Sequence, residues 1–160
     1  MLFYSSVAFA DNDLRLAVVD LQQALAESTA GKKAQEEYQH DVLEAQKNID
    51  LKKKEFEKKR EALKSQKDSL NEKALLSKSE ELMTVERDLQ RAFKDSQEML
   101  QRKNATIVNE LVKNIREVIE GIGKEQKLSL ILEKGSQALL FSEGAKDITT
   151  EVVERFNARK

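Results

Sequence analysis

Few residue types in this chain can do covalent chemistry. His40 is the single histidine and cysteine is absent, so neither an imidazole-activated nucleophile nor a thiolate can be assembled from its own side chains. His40 sits among polar residues of a helical stretch and reads as a surface side chain. Gly31-Lys32 matches the end of a phosphate-binding loop, but Ala26 stands where the first glycine is needed and Lys33 where Ser or Thr is needed, so the spacing fails. The carboxylates alternate with lysines as on a solvated helix and suggest no clustered ligand set. These residues point away from an enzyme, and no cofactor or metal is expected. The remaining chemistry is that of contact. From Lys47 to Lys67 nine basic residues stand against four acidic ones, either as a solvated face laced with i,i+4 pairs or as a basic patch for an anionic partner. Specific nucleic-acid recognition is not expected, because no aromatic platform or groove-reading motif accompanies the lysines.

The elements that must position these residues are mostly helical. Of 160 residues 39% are apolar, 36% charged and 5% aromatic, with no proline; average proteins carry about 25% charged residues and about 5% proline. That composition suits long exposed helices around a modest core. No stretch approaches the roughly 20 apolar residues that a membrane helix needs. Residues 1–10 are apolar, end in Ala8-Phe9-Ala10 and precede the polar run Asp11-Asn12-Asp13, a pattern expected of the end of a signal peptide with cleavage near Asp11.

Leu14 to Asp20 reads as a strand. Asp20 and Gln23 have capping-box spacing and open a short helix to about Ser28. Thr29-Ala-Gly31 is expected to break it, and from Lys32 the pattern becomes heptad. Val42, Ile49, Phe56, Leu63 and Leu70 recur every seven residues, while the second seam row (Tyr38, Ala45, Lys52, Lys59, Gln66) turns polar. Such a seam predicts a coiled-coil helix that loosens toward its far end. Asn71 caps a second helix, in preference to Ser77, because Leu75, Leu82 and Leu89 already share the period; its seam continues through Phe93, Leu100, Ile107, Leu111, Ile115, Val118 and Ile122. Gly121 and Gly123 are expected to fray its end. Two helices of about 35 residues joined by a short turn predict an antiparallel hairpin roughly 50 Å long.

Beyond Gly123, Leu128 to Glu133 and Ala138 to Phe141 read as a β-hairpin around Lys134-Gly135-Ser136, and Asp147 to Phe156 as a capped amphipathic helix. The fold class is therefore α+β: a small sheet body from residues 11–31 and 107–160, with a helical hairpin arm, residues 32–106 and its tip near 67–71, inserted between the first and second strands. A body of about 75 residues is near the lower limit for one core, so its strands are expected to form a trimerisation barrel with other copies. Leu14, Leu16, Val18, Leu130, Leu132, Leu139, Phe141, Ile148, Val152 and Phe156 are the candidate oligomerisation residues.

The order of elements, with Leu16-Ala-Val-Val-Asp20, Gln23-Ala-Leu and Gly31-Lys32 at the front and Leu130-Ile-Leu-Glu and Lys146-Asp-Ile-Thr-Thr-Glu-Val-Val at the back, resembles the Skp/OmpH family of periplasmic chaperones. The resemblance spans nearly all of the chain beyond residue 10, although the arm matches only in length and heptad style. It implies a homotrimer whose three hairpins surround a cavity and hold unfolded outer-membrane proteins in the periplasm without ATP. Candidate client contacts are Leu51, Phe56, Leu63, Leu70, Leu75, Leu76 and Met83, with Lys52, Lys53, Lys54, Lys58, Lys59 and Arg60 beside them. Phe56 and Leu63 also fit the hairpin seam, whereas Leu51, Leu75 and Leu76 lie off it or beside the turn. Arg102 and Lys103 are a candidate pair for lipopolysaccharide or an anionic membrane surface, with ordinary ion pairing as the alternative. Family members are often strongly basic, yet from Lys32 to Thr106 basic and acidic residues nearly balance, 18 against 16. A structural tether of the cell envelope, with no client, is the competing reading.

Overall fold

Asp20 sets the first turn of the structure, a computed structural model that describes residues 14–137 and 139–159. The expected signal-peptide end at residues 1–10 and its cleavage point near Asp11 lie outside the described residues. Strand β1 (Leu16–Val19) ends at Asp20, whose Oδ1 accepts a hydrogen bond from the Gln23 backbone N–H at 2.8 Å and so caps helix α1 (Leu21–Glu27). The reciprocal half of a capping box is replaced by a distant residue, because the Asp20 N–H donates to Thr149 Oγ1 at 2.9 Å. Helix α2 (Thr29–Gln66) follows, then α3 (Glu72–Glu125), β2 (Leu130–Glu133), β3 (Lys146–Asp147) and α4 (Thr149–Ala158).

Ser28, not Gly31, separates α1 from α2. Its extended backbone ends α1, and its Oγ accepts from the Gly31 N–H at 3.0 Å, satisfying one of the unpaired donors that open a helix. Asn157 Oδ1 accepts from Thr29 N–H at 2.8 Å, so the end of α4 helps to cap α2. Gly31 therefore lies inside α2 rather than breaking the chain. The pair Gly121 and Gly123 is likewise absorbed, since α3 runs past both to Glu125. A Cβ on Gly123 would lie 3.1 Å from the Ile131 side chain, so glycine there lets β2 pack tightly on α3.

The sheet corrects the β-hairpin expectation. Its order is β2-β1-β3 and both pairings are parallel, with Leu16 opposite Leu130, Val18 opposite Leu132 and Val18 also opposite Asp147. Residues 139–141 form no strand; the third strand is the two-residue β3. A hairpin needs neighbouring strands to pair antiparallel, but here β1 takes the ladder of β2 after the chain has crossed through three helices, as parallel pairing requires.

Two compact units result, one of the described residues up to 32 with those from 111 on, the other of residues 33–110. The core of the first unit joins Ala17 and Val19 of β1, Ala24 of α1, Ile115, Val118 and Ile122 of α3, and Ile148, Val152 and Phe156 at α4. Val18, Ile148, Val152 and Phe156 are thus buried within the single chain. Ile148, Val152 and Phe156 belong to that core, whereas Val18 is buried outside it; all four are covered without another copy of the chain.

Candidate functional site

In the helical unit the seam follows most of the seven-residue rows, although Val42, the first residue of one row, is 38% exposed. Ala45 is buried; Tyr38, Ile49, Phe56 and Leu63 are half-buried on α2, Leu70 in the turn beyond it, and Leu75, Leu82, Leu89, Leu100 and Ile107 on α3. Phe93 departs from it: 51% of its surface is exposed, and the neighbouring Ala92 and Ser96 are half-buried instead. Two ion pairs tie the helices. Lys103 reaches Asp41 across 62 residues of sequence, and Lys59 reaches Glu81 at 2.6 Å across 22. The sequence separation of the pairs falls from 62 to 22 toward the turn. Asn71 Oδ1 accepts from the Ala74 N–H at 2.9 Å and starts α3 where the capping pattern places it.

The candidate client residues divide in three. Leu51, Leu76 and Met83 are exposed at 64%, 61% and 58%. Phe56, Leu63, Leu70 and Leu75 are half-buried, with the Arg60 guanidinium 6.0 Å from the Phe56 ring centroid. Lys52, Lys53, Lys54 and Lys58 are exposed, whereas Lys59 is engaged by Glu55 as well as Glu81, and Arg60 by Glu57 at 2.6 Å. The hydrogen bond to Glu81 raises the Lys59 ammonium above its ordinary pKa, and the same bond lowers Glu81. The basic run is therefore part solvated face and part cross-link. Leu63 and Leu75 come together in one cleft with Leu82, Ser79, Arg60, Glu61, Lys64 and Lys67; the exposed Leu51 and Met83 are not among its lining.

Arg102 and Lys103 both have carboxylate partners, Glu98 at 3.2 Å and Asp41, and the bond to Asp41 raises Lys103 above its ordinary pKa. A phosphate approaching either residue would compete with those carboxylates. The sequence reading missed one juxtaposition here. His40, Asp41 and Glu44 each place a ligand atom within 4.8 Å of the others, an arrangement legible only as a histidine followed by an acid four positions on. Lys103 already supplies positive charge to Asp41.

The unit that contains the sheet presents a different surface. Leu16, Leu130 and Leu132 point away from the core and are exposed at 44%, 48% and 37%. Alternation along a strand puts them with Val18 on one face. Leu14, Leu140 and Phe141 are more exposed still, at 74%, 93% and 77%, and Leu139 is half-buried. Beside this face lies a polar cluster. The Gln126 side-chain amide donates to both carboxylate oxygens of Glu151, at 2.7 and 2.8 Å, and Arg155 donates to Glu151 and Glu125. The Gln126 bond is the main cause that holds the Glu151 carboxyl below its usual pKa. Lys134 Nζ, at 2.9 Å, and the side-chain and backbone donors of Thr149 lower Asp147 from 3.8 to about 2. These groups fasten β3 and α4 to the end of α3.

Among the described residues the surface carries scattered apolar side chains and paired charges, which suits binding. The profile of the OmpH-like outer membrane protein family matches residues 15–156. The chain belongs to that family. Its members are chaperones, not enzymes, and membership gives this OmpH-like protein a chaperone-like role. The fold agrees: the crystal structure of a protein from Caulobacter crescentus, assigned as an OmpH-like outer membrane chaperone, superposes with a TM-score of 0.84 at 18% identity, covering 99% of this chain and 92% of that one. No curated protein sequence matches it.

Proposed function

We propose that this OmpH-like protein is an ATP-independent periplasmic holdase that keeps unfolded outer-membrane proteins from aggregating, working as a homotrimer whose helical hairpins form the walls of a cavity. The observation that carries the reading is the sheet face of Leu16, Leu130 and Leu132, which one chain leaves open to water. A contiguous apolar face of this kind marks an interaction surface, and further copies of the same chain would cover it together with Leu14, Leu139 and Phe141. Assembly would then gather several hairpins around one volume. Each offers isolated apolar side chains such as Leu51, Leu76 and Met83 on a charged background, suited to many weak contacts. Multiplicity supplies affinity, since the first contact raises the effective concentration of the next.

Solution mass and aggregation assays test this directly. The purified protein is expected to have three times the chain mass and to suppress aggregation of a urea-denatured outer-membrane β-barrel protein without nucleotide. An oligomer that fails to suppress aggregation at one trimer per client would favour the envelope tether; a monomer would remove the cavity. Binding of lipopolysaccharide at Arg102 and Lys103 is a separate part of the proposal, checked by whether Arg102→Ala with Lys103→Ala lowers capture on lipopolysaccharide-coated beads.

A further inference from the structure

The cleft beside the turn of the helical unit has a more specific chemistry than the surface around it. Arg60, Leu63 and Lys64 recur at intervals of three and four on α2, with Lys67 in the turn just beyond it, and Leu75, Ser79 and Leu82 do the same on α3, so each helical set shares one helix face. Between them lies an open cleft of about 530 Å3, within the roughly 300–1,000 Å3 of small binding sites. Ser79 explains the space. It stands between Leu75 and Leu82 where a seam would carry a large apolar residue, and its hydroxyl is satisfied by donating to the Leu75 carbonyl at 2.8 Å.

The charges of the rim are unequal. Arg60 is engaged by Glu57 and Glu61, at 2.6 and 3.7 Å. Lys64 and Lys67 make no ion pair among the described residues, and the one carboxylate in the lining, Glu61, faces Arg60. The cleft therefore combines a floor of three leucines with two uncompensated ammonium groups. Its chemical complement is an apolar group beside an anion.

We propose that this cleft takes an extended polypeptide segment whose apolar side chain seats on Leu63, Leu75 and Leu82 while a carboxylate two residues away meets Lys64 and Lys67. The proposal rests on the holdase reading and gives it a sequence preference. Residues two apart in an extended chain lie on the same side, roughly 7 Å from one another, so an apolar side chain and a carboxylate can face the cleft together.

A dye-labelled Gly/Ser peptide containing Phe-Ser-Asp, compared with its Phe-Ser-Lys counterpart by fluorescence anisotropy on the full chain, is the test. The acidic peptide is expected to bind at least tenfold more tightly, and added salt should narrow the difference. Ser79→Leu, which fills the cleft, should weaken binding at least tenfold. The doubly substituted Lys64→Glu, Lys67→Glu protein, altered only at exposed residues, should reverse the preference. Equal affinity for the two peptides, or unchanged binding in both variants, overturns the proposal. So does binding of sodium dodecanoate in the absence of peptide binding. Wild-type protein that suppresses client aggregation but binds neither peptide removes the cleft's role alone; failure to suppress aggregation removes the holdase reading itself.

Discussion

A Cβ placed on Gly31 would lie 1.8 Å from the backbone carbonyl oxygen of Leu25. The contact arises because α1 turns sharply into α2 at Ser28, bringing the last turn of one helix onto the first of the next. No side-chain rotation relieves a clash with backbone, so Gly31→Ala must shift the junction. Overpacking in the body is expected to cost roughly 3 kcal/mol or more, read as a fall in the urea midpoint with an unchanged slope. A midpoint equal to wild type would mean that the α1–α2 junction is not built this way.

Asp147 makes folding sensitive to acid. Its carboxyl is lowered from 3.8 to about 2 by Lys134 and Thr149, so between those values the unfolded chain binds more protons than the folded one. Stability from this group is therefore fully present above pH 5, falls as acid is added, and is lost as the pH drops through about 2. With 46% of the side chain exposed, solvent screening limits the contribution to about 1 kcal/mol. Asp147→Asn should flatten the dependence of stability on pH between 5 and 2. An unchanged slope would show that Lys134 does not hold the carboxylate in solution.

Lys127 ends α3 with φ of 53°, in the left-handed region. The Leu128 N–H donates to the Gly123 carbonyl at 2.9 Å and the Lys127 N–H to the Lys124 carbonyl at 3.4 Å, the paired bonds of a Schellman motif whose favoured residue is glycine. Lys127→Gly removes the steric cost of a side chain there and should stabilise the protein by roughly 0.5–1 kcal/mol. A rise of a few degrees in the thermal midpoint would show it; a fall would mean that the lysine stem makes packing contacts worth more than the strain.

Local rules explain what the sequence shows and what it hides. Asp20 and Asn71 act through residues three positions away, and the seam of Ile49, Phe56 and Leu63 through a repeat inside one helix, so both are readable without tertiary structure. Strand direction is different. Arg15 meets Ser129 across 114 residues, and alternation in Leu130–Glu133 is the same whether its partner runs parallel or antiparallel. Gly31 looks like a breaker because the Leu25 carbonyl that excludes a side chain comes close only after folding. Hydrophobicity likewise cannot distinguish Val152, buried in its own chain, from Leu130, which remains exposed. At the cleft, the leucines and lysines are visible in sequence; which lysines are neutralised depends on the register that sets Lys59 opposite Glu81.

Leu130 offers the cleanest check on the proposed assembly. It lies opposite Leu16 in the sheet and faces away from the core, with 48% of its surface exposed. Within one chain Leu130→Glu therefore removes little packing, and substitutions of this kind usually change stability by about 0.5 kcal/mol or less. In a trimer sealed across this face the same carboxylate would be buried without a partner in each copy, at a cost of several kcal/mol. The variant should keep its circular dichroism spectrum while its solution mass falls to that of a single chain, and aggregation suppression should disappear with the trimer. A variant that stays trimeric would move the interface away from the Leu16, Leu130 and Leu132 face. A variant that unfolds as a monomer would instead show that the sheet unit needs its partners in order to fold.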